Sequence, residues 1–178
     1  MNRLLYSLLL FLLPLAFSCV SQRKEPAQEV KSDSLGYPDH IGDLAFDKEL
    51  DDPSFKVCSE GFTRQYYSFG TDVYEGEKPA IVDFFRQNYK GKAFENQTGY
   101  VTIRFIVNCQ GRTGRFRVQE MDLNYQPKNF NRKLTDQLVG LTKELDGWKP
   151  AQEEGNSYDY YYYLSFQLVN GQIKAIMP

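Results

Sequence analysis

The sequence predicts an α+β fold, an antiparallel β-sheet with two helices on one face, arranged as a ββαββ core preceded by a helix and an extra hairpin. Three observations predict it. Apolar residues alternate with polar ones over Tyr100–Cys109 and again over Tyr160–Val169, the two-residue period of half-buried strands. Between these runs, Leu134, Leu138, Leu141, Leu145 and Trp148 recur at steps of four, three, four and three, the stripe of a helix packed on a sheet. Finally, Gln110-Gly111 and Asn170-Gly171 each stand where a strand must reverse.

The elements follow in order. MNRLLYSLLLFLLPLAFS carries one basic residue, Arg3, then an apolar run from Leu4 to Phe17 that is short for a bilayer span, so residues 1–18 read as a secretory signal peptide. Cys19, placed directly after that run and a small residue, resembles the lipid-accepting cysteine of a bacterial lipobox. Ala16 and Phe17 fit the looser version of Bacteroidetes-type lipoproteins. Residues 19–53 read as a lipidated tether, polar and charged over VSQRKEPAQEVKSDSLGYPDHIGD, and the folded domain is expected from 54 to 178. About 24 residues of flexible coil reach only about 25–30 Å, which keeps the domain close to its membrane.

FKVCSE and RQYYSFG, either side of Gly61, read as two short strands, the extra hairpin of segment 54–71. EKPAIVDFFRQNYKG sets Pro79 at a first helical position, Ile81, Phe84, Phe85 and Tyr89 on one face, and Gly91 as the stop. The alternation from Val101 turns at Gly111 into a second strand through Phe116 and Val118. In the leucine-striped helix, Asn129 or Asn131 caps the start, Gly147 ends it in a left-handed conformation and Pro150 prevents its continuation. The last long strand sets Tyr160, Tyr162, Leu164 and Phe166 inward and Tyr161, Tyr163, Ser165 and Gln167 outward, before Asn170-Gly171 leads into QIKAIMP.

Composition narrows the function. Lys and Arg total 21 against 23 Asp and Glu, a balance that favours neither nucleic acid nor an anionic membrane surface. Beyond Cys19 two cysteines remain, Cys58 and Cys109. Either they form one disulfide, whose loop of roughly 50 residues is worth about 4 kcal/mol, or both are buried thiols. With the lone His40 they lack metal-ligand spacing, and neither metal nor cofactor is expected. Glu120, Asp122, Glu153 and Glu154 fall at expected turns and strand ends, and Arg112, Arg115 and Arg117 cluster at a hairpin tip. All seven read as solvated surface, so the chain is expected not to be an enzyme.

Gly99-Tyr-Val-Thr-Ile-Arg-Phe-Ile-Val-Asn-Cys-Gln-Gly111, then Trp148-Lys-Pro-Ala151, then Leu164 to Asn170-Gly171 follow one another as the corresponding motifs do in the C-terminal domain of the TonB energy-transducer family, which residues 77–178 resemble. That resemblance implies a periplasmic domain that binds an extended segment of an outer-membrane receptor or transporter by adding it to a sheet edge, a mode that draws affinity from backbone hydrogen bonds. The chain departs from the family in its cleavable leader and short tether, so energy transduction is not expected. The expectation is a lipid-anchored binding module of the outer membrane, facing the periplasm or the surface. The alternative is a structural accessory lipoprotein, a fixed subunit of an outer-membrane complex. Tyr158, Tyr161, Tyr163, Ser165 and Gln167 are the candidate partner-binding edge, with the last strand as its displaceable cover; the alternative is that the tyrosines are ordinary strand residues of a partly covered sheet.

Overall fold

The computed structural model describes residues 44–59, 61–68 and 72–177, so the segment expected to be a signal peptide, Cys19, His40 and the expected tether up to residue 43 lie outside the described residues. The fold is mixed α+β: β1 (Arg64–Gln65), α1 (Glu77–Asn88), β2 (Gly99–Val107), β3 (Thr113–Met121), α2 (Arg132–Glu144), β4 (Ala151–Glu153), β5 (Asn156–Tyr158), β6 (Tyr160–Val169) and β7 (Gln172–Met177). In the main sheet β6 lies between β2 and a split neighbour. It pairs antiparallel with β2 from Tyr160–Val107 to Leu168–Gly99, and on its other side with β1 at one end and β7 at the other. β3 closes the far side of β2. The β1–β6 pairing is parallel, an exception in an otherwise antiparallel sheet.

Strand alternation puts Val101, Ile103, Phe105 and Val107 of β2 and Tyr160, Tyr162, Leu164, Phe166 and Leu168 of β6 on one face, all buried. Both helices cover that face, α2 through Leu134, Leu138 and Leu141, α1 through Ile81 and Phe85. Phe85 meets Phe166 edge-on at 4.7 Å between ring centroids. Asn131, of the two candidate caps, accepts the Lys133 N–H through its side chain and starts α2.

Several expectations are corrected in detail. Pro79 lies third in α1, and the helix ends at Tyr89, whose hydroxyl donates to the Gly171 carbonyl at 2.8 Å. Gly147 does not end α2 in a left-handed conformation. The chain turns extended at Leu145, and the absent Cβ of Gly147 leaves room for the Tyr74 ring, which a Cβ would meet at 2.9 Å. Trp148 is buried as expected, although it follows α2 rather than closing its face, and its backbone bridges Tyr74. Between Trp148 and β6, Ala151–Glu153 and Asn156–Tyr158 pair as the β4–β5 ribbon, which the sequence reading did not place. Asn170 and Gly171 both take positive φ, 47° and 74°, as a tight turn between twisted strands requires.

The N-terminal boundary also moves. Residues 44–53, expected in the tether, are folded, with Leu44 and Asp51 both buried. The expected hairpin around Gly61 is absent among the described residues, where only β1 and a 3₁₀ turn (Tyr66–Ser68) form. The physical reason is that the backbone of 56–59 bonds to side chains instead of a partner strand. The Asp159 carboxylate accepts the N–H groups of Cys58 and Ser59, and the Asn108 amide donates to the Lys56 carbonyl.

Candidate functional site

The sheet face opposite the helices is built from the outward positions of each strand. The β2–β6 register sets Tyr100 beside Gln167, Thr102 beside Ser165, Arg104 beside Tyr163 and Ile106 beside Tyr161. On the other side of β2, Gln119 neighbours Thr102 and Arg117 neighbours Arg104. The Thr102 and Ser165 hydroxyls share a hydrogen bond at 2.8 Å, and the Gln167 amide donates to the Tyr100 hydroxyl at 3.4 Å. Tyr125, in the turn after β3, stacks nearly parallel on Tyr100 at 5.2 Å. This face is polar and aromatic, and the four outward side chains named in advance from the last long strand all stand on it.

Tyr158 does not stand there. It lies on β5, with the Arg64 guanidinium 4.1 Å from its ring centroid, and the same guanidinium is 5.2 Å from the Phe62 ring. Arg64 also pairs with Glu153, so Tyr158 belongs to a latch that holds β1 against the ribbon. Nor is β6 an open edge. β7 covers only Ser165–Val169, while β1 pairs with Tyr160 and Tyr161, and Tyr66 packs edge-on against Tyr162 and Tyr163. Tyr160 is fully buried, with its hydroxyl donating to the Lys149 carbonyl at 2.8 Å, and burial pushes its pKa far above the phenol range. Burial likewise pushes Tyr162 and Tyr89 up to about 12, so these phenols stay neutral hydrogen-bonding groups at any physiological pH.

One end of the open face is covered by residues 44–59. Leu44 and Phe55 pack on Ile106, and Phe55 lies so close that a Cβ on Gly114 would come within 2.3 Å of its ring. Arg117 forms a two-pronged ion pair with Asp51, at 2.7 and 2.8 Å, and also donates to the Ala45 carbonyl. Its hydrogen bonds hold the Asp51 carboxyl below its ordinary pKa. Arg115 donates to the Leu44 carbonyl. The arginines read as a solvated tip are therefore fasteners for this segment, apart from the exposed Arg112. Cys58 and Cys109 are joined as a disulfide, Cα atoms 6.0 Å apart, and the buried Asp159 carboxylate accepts N–H groups from Cys58, Ser59 and Cys109 at 2.7 to 2.9 Å.

Cys58, Cys109 and Asp159 are the one group of metal-ligating types brought together among the described residues. Both sulfurs are bonded to each other and the carboxylate is already accepting three N–H groups, which leaves no donor set for an ion. Glu120 is a second correction, because it is half-buried and accepts from the Thr135 hydroxyl and the Phe130 N–H at the entry to α2. Asp122 rigidifies the turn after β3 by accepting from Asn124 and Gln126, while Glu154 is an exposed turn residue.

Two long strands have a side without a partner strand over most of their length among the described residues, β7 and β3. β3 is bridged at its end by Pro127, and Lys128 donates to the Glu120 carbonyl. Alongside β7, a groove of about 250 Å³ runs to α1, lined by Val82, Phe85, Arg86 and Tyr89 of the helix and by the strand itself. A register shift sets Lys174 out of the ladder, exposed on that edge. A bulge and a lysine are the devices that discourage indiscriminate strand pairing. No family model, curated protein or solved structure matches the chain. The described residues form an α+β domain with helices on one sheet face and a disulfide-fastened segment across part of the other.

Proposed function

We propose that the protein is a lipid-anchored binding module of the cell envelope, carried on Cys19, that takes an extended segment of a partner envelope protein by strand addition. The observation that carries this reading is the outer edge of β7, six residues of backbone without a partner strand on that side among the described residues, beside a groove that can receive alternate side chains of an added strand. The sequence expectation sets β7 over β6 as a displaceable cover; β7 pairs with β6 over Ser165–Val169 and β1 takes Tyr160 and Tyr161, so the side left without a partner strand among the described residues is the outer one of β7. The resemblance of residues 77–178 to the TonB C-terminal domain supports the mode of binding, and the leader and Cys19 support the envelope and an outer-membrane anchor. A role in binding rather than catalysis is supported by the employment of Asp51, Glu120 and Asp159 in holding the fold.

Pull-down from detergent-solubilised envelopes tests this reading. A strand-adding module captures a partner that survives moderate salt, because the contacts are mainly backbone hydrogen bonds and apolar side chains. Proline substitution at Ala175 should then weaken capture while Arg132→Gln, at an exposed position of α2 that does not line the groove, should not. Capture indifferent to the β7 substitution overturns the strand-addition reading, and stoichiometric, inseparable co-purification would favour the accessory-subunit alternative. Cys19→Ser should abolish fatty-acid labelling, and unchanged labelling would refute the anchor.

A further inference from the structure

Among the described residues, the open sheet face holds a charged group that is shielded from solvent without a hydrogen-bond partner. Arg104, at the middle of β2, has no hydrogen bond or ion pair among the described residues, and its Nη2 is shielded from solvent without an acceptor. Its neighbour across the strand pair, Arg117, has the buried Asp51 carboxylate on both prongs. Two arginines thus stand side by side, one neutralised and one not. Burial lowers the Arg104 pKa from its ordinary value, a sign that the charged form is partly desolvated. A partly desolvated cation without a counter-charge costs stability, and buried donors in native proteins are overwhelmingly paired.

The surroundings indicate what would complete it. On this face Arg104 lies between Tyr163, Thr102 and Ile106 with Ser165 and Gln119 close by, and none of these is acidic. Tyrosine, serine and arginine on a rigid, half-exposed surface are the composition of protein-recognition patches, in which an arginine is commonly the anchoring charge. A phosphate, with its higher charge, ordinarily recruits several free cations, whereas here Arg117 is already paired. We propose that Arg104 is the receptor for a carboxylate presented by a partner polypeptide that docks flat on the open face of the sheet. This contact is separate from the β7 edge and does not depend on strand addition there.

The test uses the full chain in detergent, two probes and two competitors: a blocked, fluorescent hexapeptide of alternating threonine and glutamate and its glutamine counterpart as probes, and inorganic phosphate and acetate as competitors. Anisotropy should show the glutamate peptide binding roughly tenfold more tightly than the glutamine one, the scale of one charge-assisted hydrogen bond. Arg104→Gln should erase that ratio and melt no lower than the wild type, because it removes an unsatisfied cation. Arg132→Gln, at an exposed helix position, should leave the ratio unchanged. Equal binding of the two peptides, a ratio that persists in Arg104→Gln, or a lower melting temperature for that variant overturns the proposal. Phosphate displacing the glutamate peptide at lower concentration than acetate overturns the assignment of a polypeptide carboxylate.

Discussion

Replacing Trp148 separates the packing and polar contributions of one side chain. The residue is 6% exposed, and its ring meets Tyr74 at 4.8 Å, Phe105 at 5.1 Å and Tyr162 at 4.8 Å, so it joins β2 and β6 to the segment before α1. Large-to-small changes at such sites cost about 3–5 kcal/mol, and Trp148→Ala should fall in that range, a drop of roughly 10–20 °C in Tm for a domain of this size. The indole Nε1 is buried without an acceptor, so Trp148→Phe forfeits contact area but no hydrogen bond and should cost only about 1–2 kcal/mol. Urea unfolding with the disulfide intact reads both values from the midpoint at constant m. An alanine cost below about 1 kcal/mol refutes the role of Trp148 in the core. A phenylalanine cost equal to the alanine cost would mean the indole N–H is bonded after all.

The segment over the open face yields the other predictions. Because Arg117 holds the Asp51 carboxyl below 3.8, its stabilisation is complete above that unfolded value and disappears as pH falls through the lower folded one; the stability difference between wild type and Asp51→Asn should therefore shrink on acidification, and a difference constant from pH 7 to pH 3 would contradict the pairing. Gly114→Ala should cost about 1–3 kcal/mol by displacing Phe55, and much less in a Phe55→Ala background; additive costs would exclude the contact. Removing the Cys58–Cys109 bridge by paired serine substitution should cost about 4 kcal/mol, and alkylation of the oxidised protein without reductant should label neither residue.

The parts of the fold with strong local periodicity were legible. Val101 through Val107, the leucine stripe of α2 and the Asn170-Gly171 turn each carry their own signal, because burial of one face imposes a period on the sequence. What escaped was structure made by long-range side-chain bonds. Nothing in FKVCSE announces that Asp159, a hundred residues later, will accept its N–H groups, and Arg117 reads as solvated until Asp51 arrives from the segment taken for tether. The outward face of the tyrosine strand and its cover by β7 were legible, while the pairing of its other end with β1 was not. A two-residue parallel strand such as β1 leaves no periodic trace, and its position depends on Arg64 between Phe62 and Tyr158. Arg104 was visible only as one polar residue of an alternation, since being unpaired is a property of the assembled face.

Hydrogen exchange on the full chain, free and loaded with the partner captured from envelopes, tests strand addition most directly. In the free protein the amides of Gln172–Met177 should exchange faster than those of Tyr162–Leu168, because β7 has a neighbour on one side only. On loading, amides of β7 should slow by at least about tenfold as their outer groups gain strand partners, with β2 unchanged. Partner-induced protection that leaves β7 unaffected and appears elsewhere would contradict recognition at this edge.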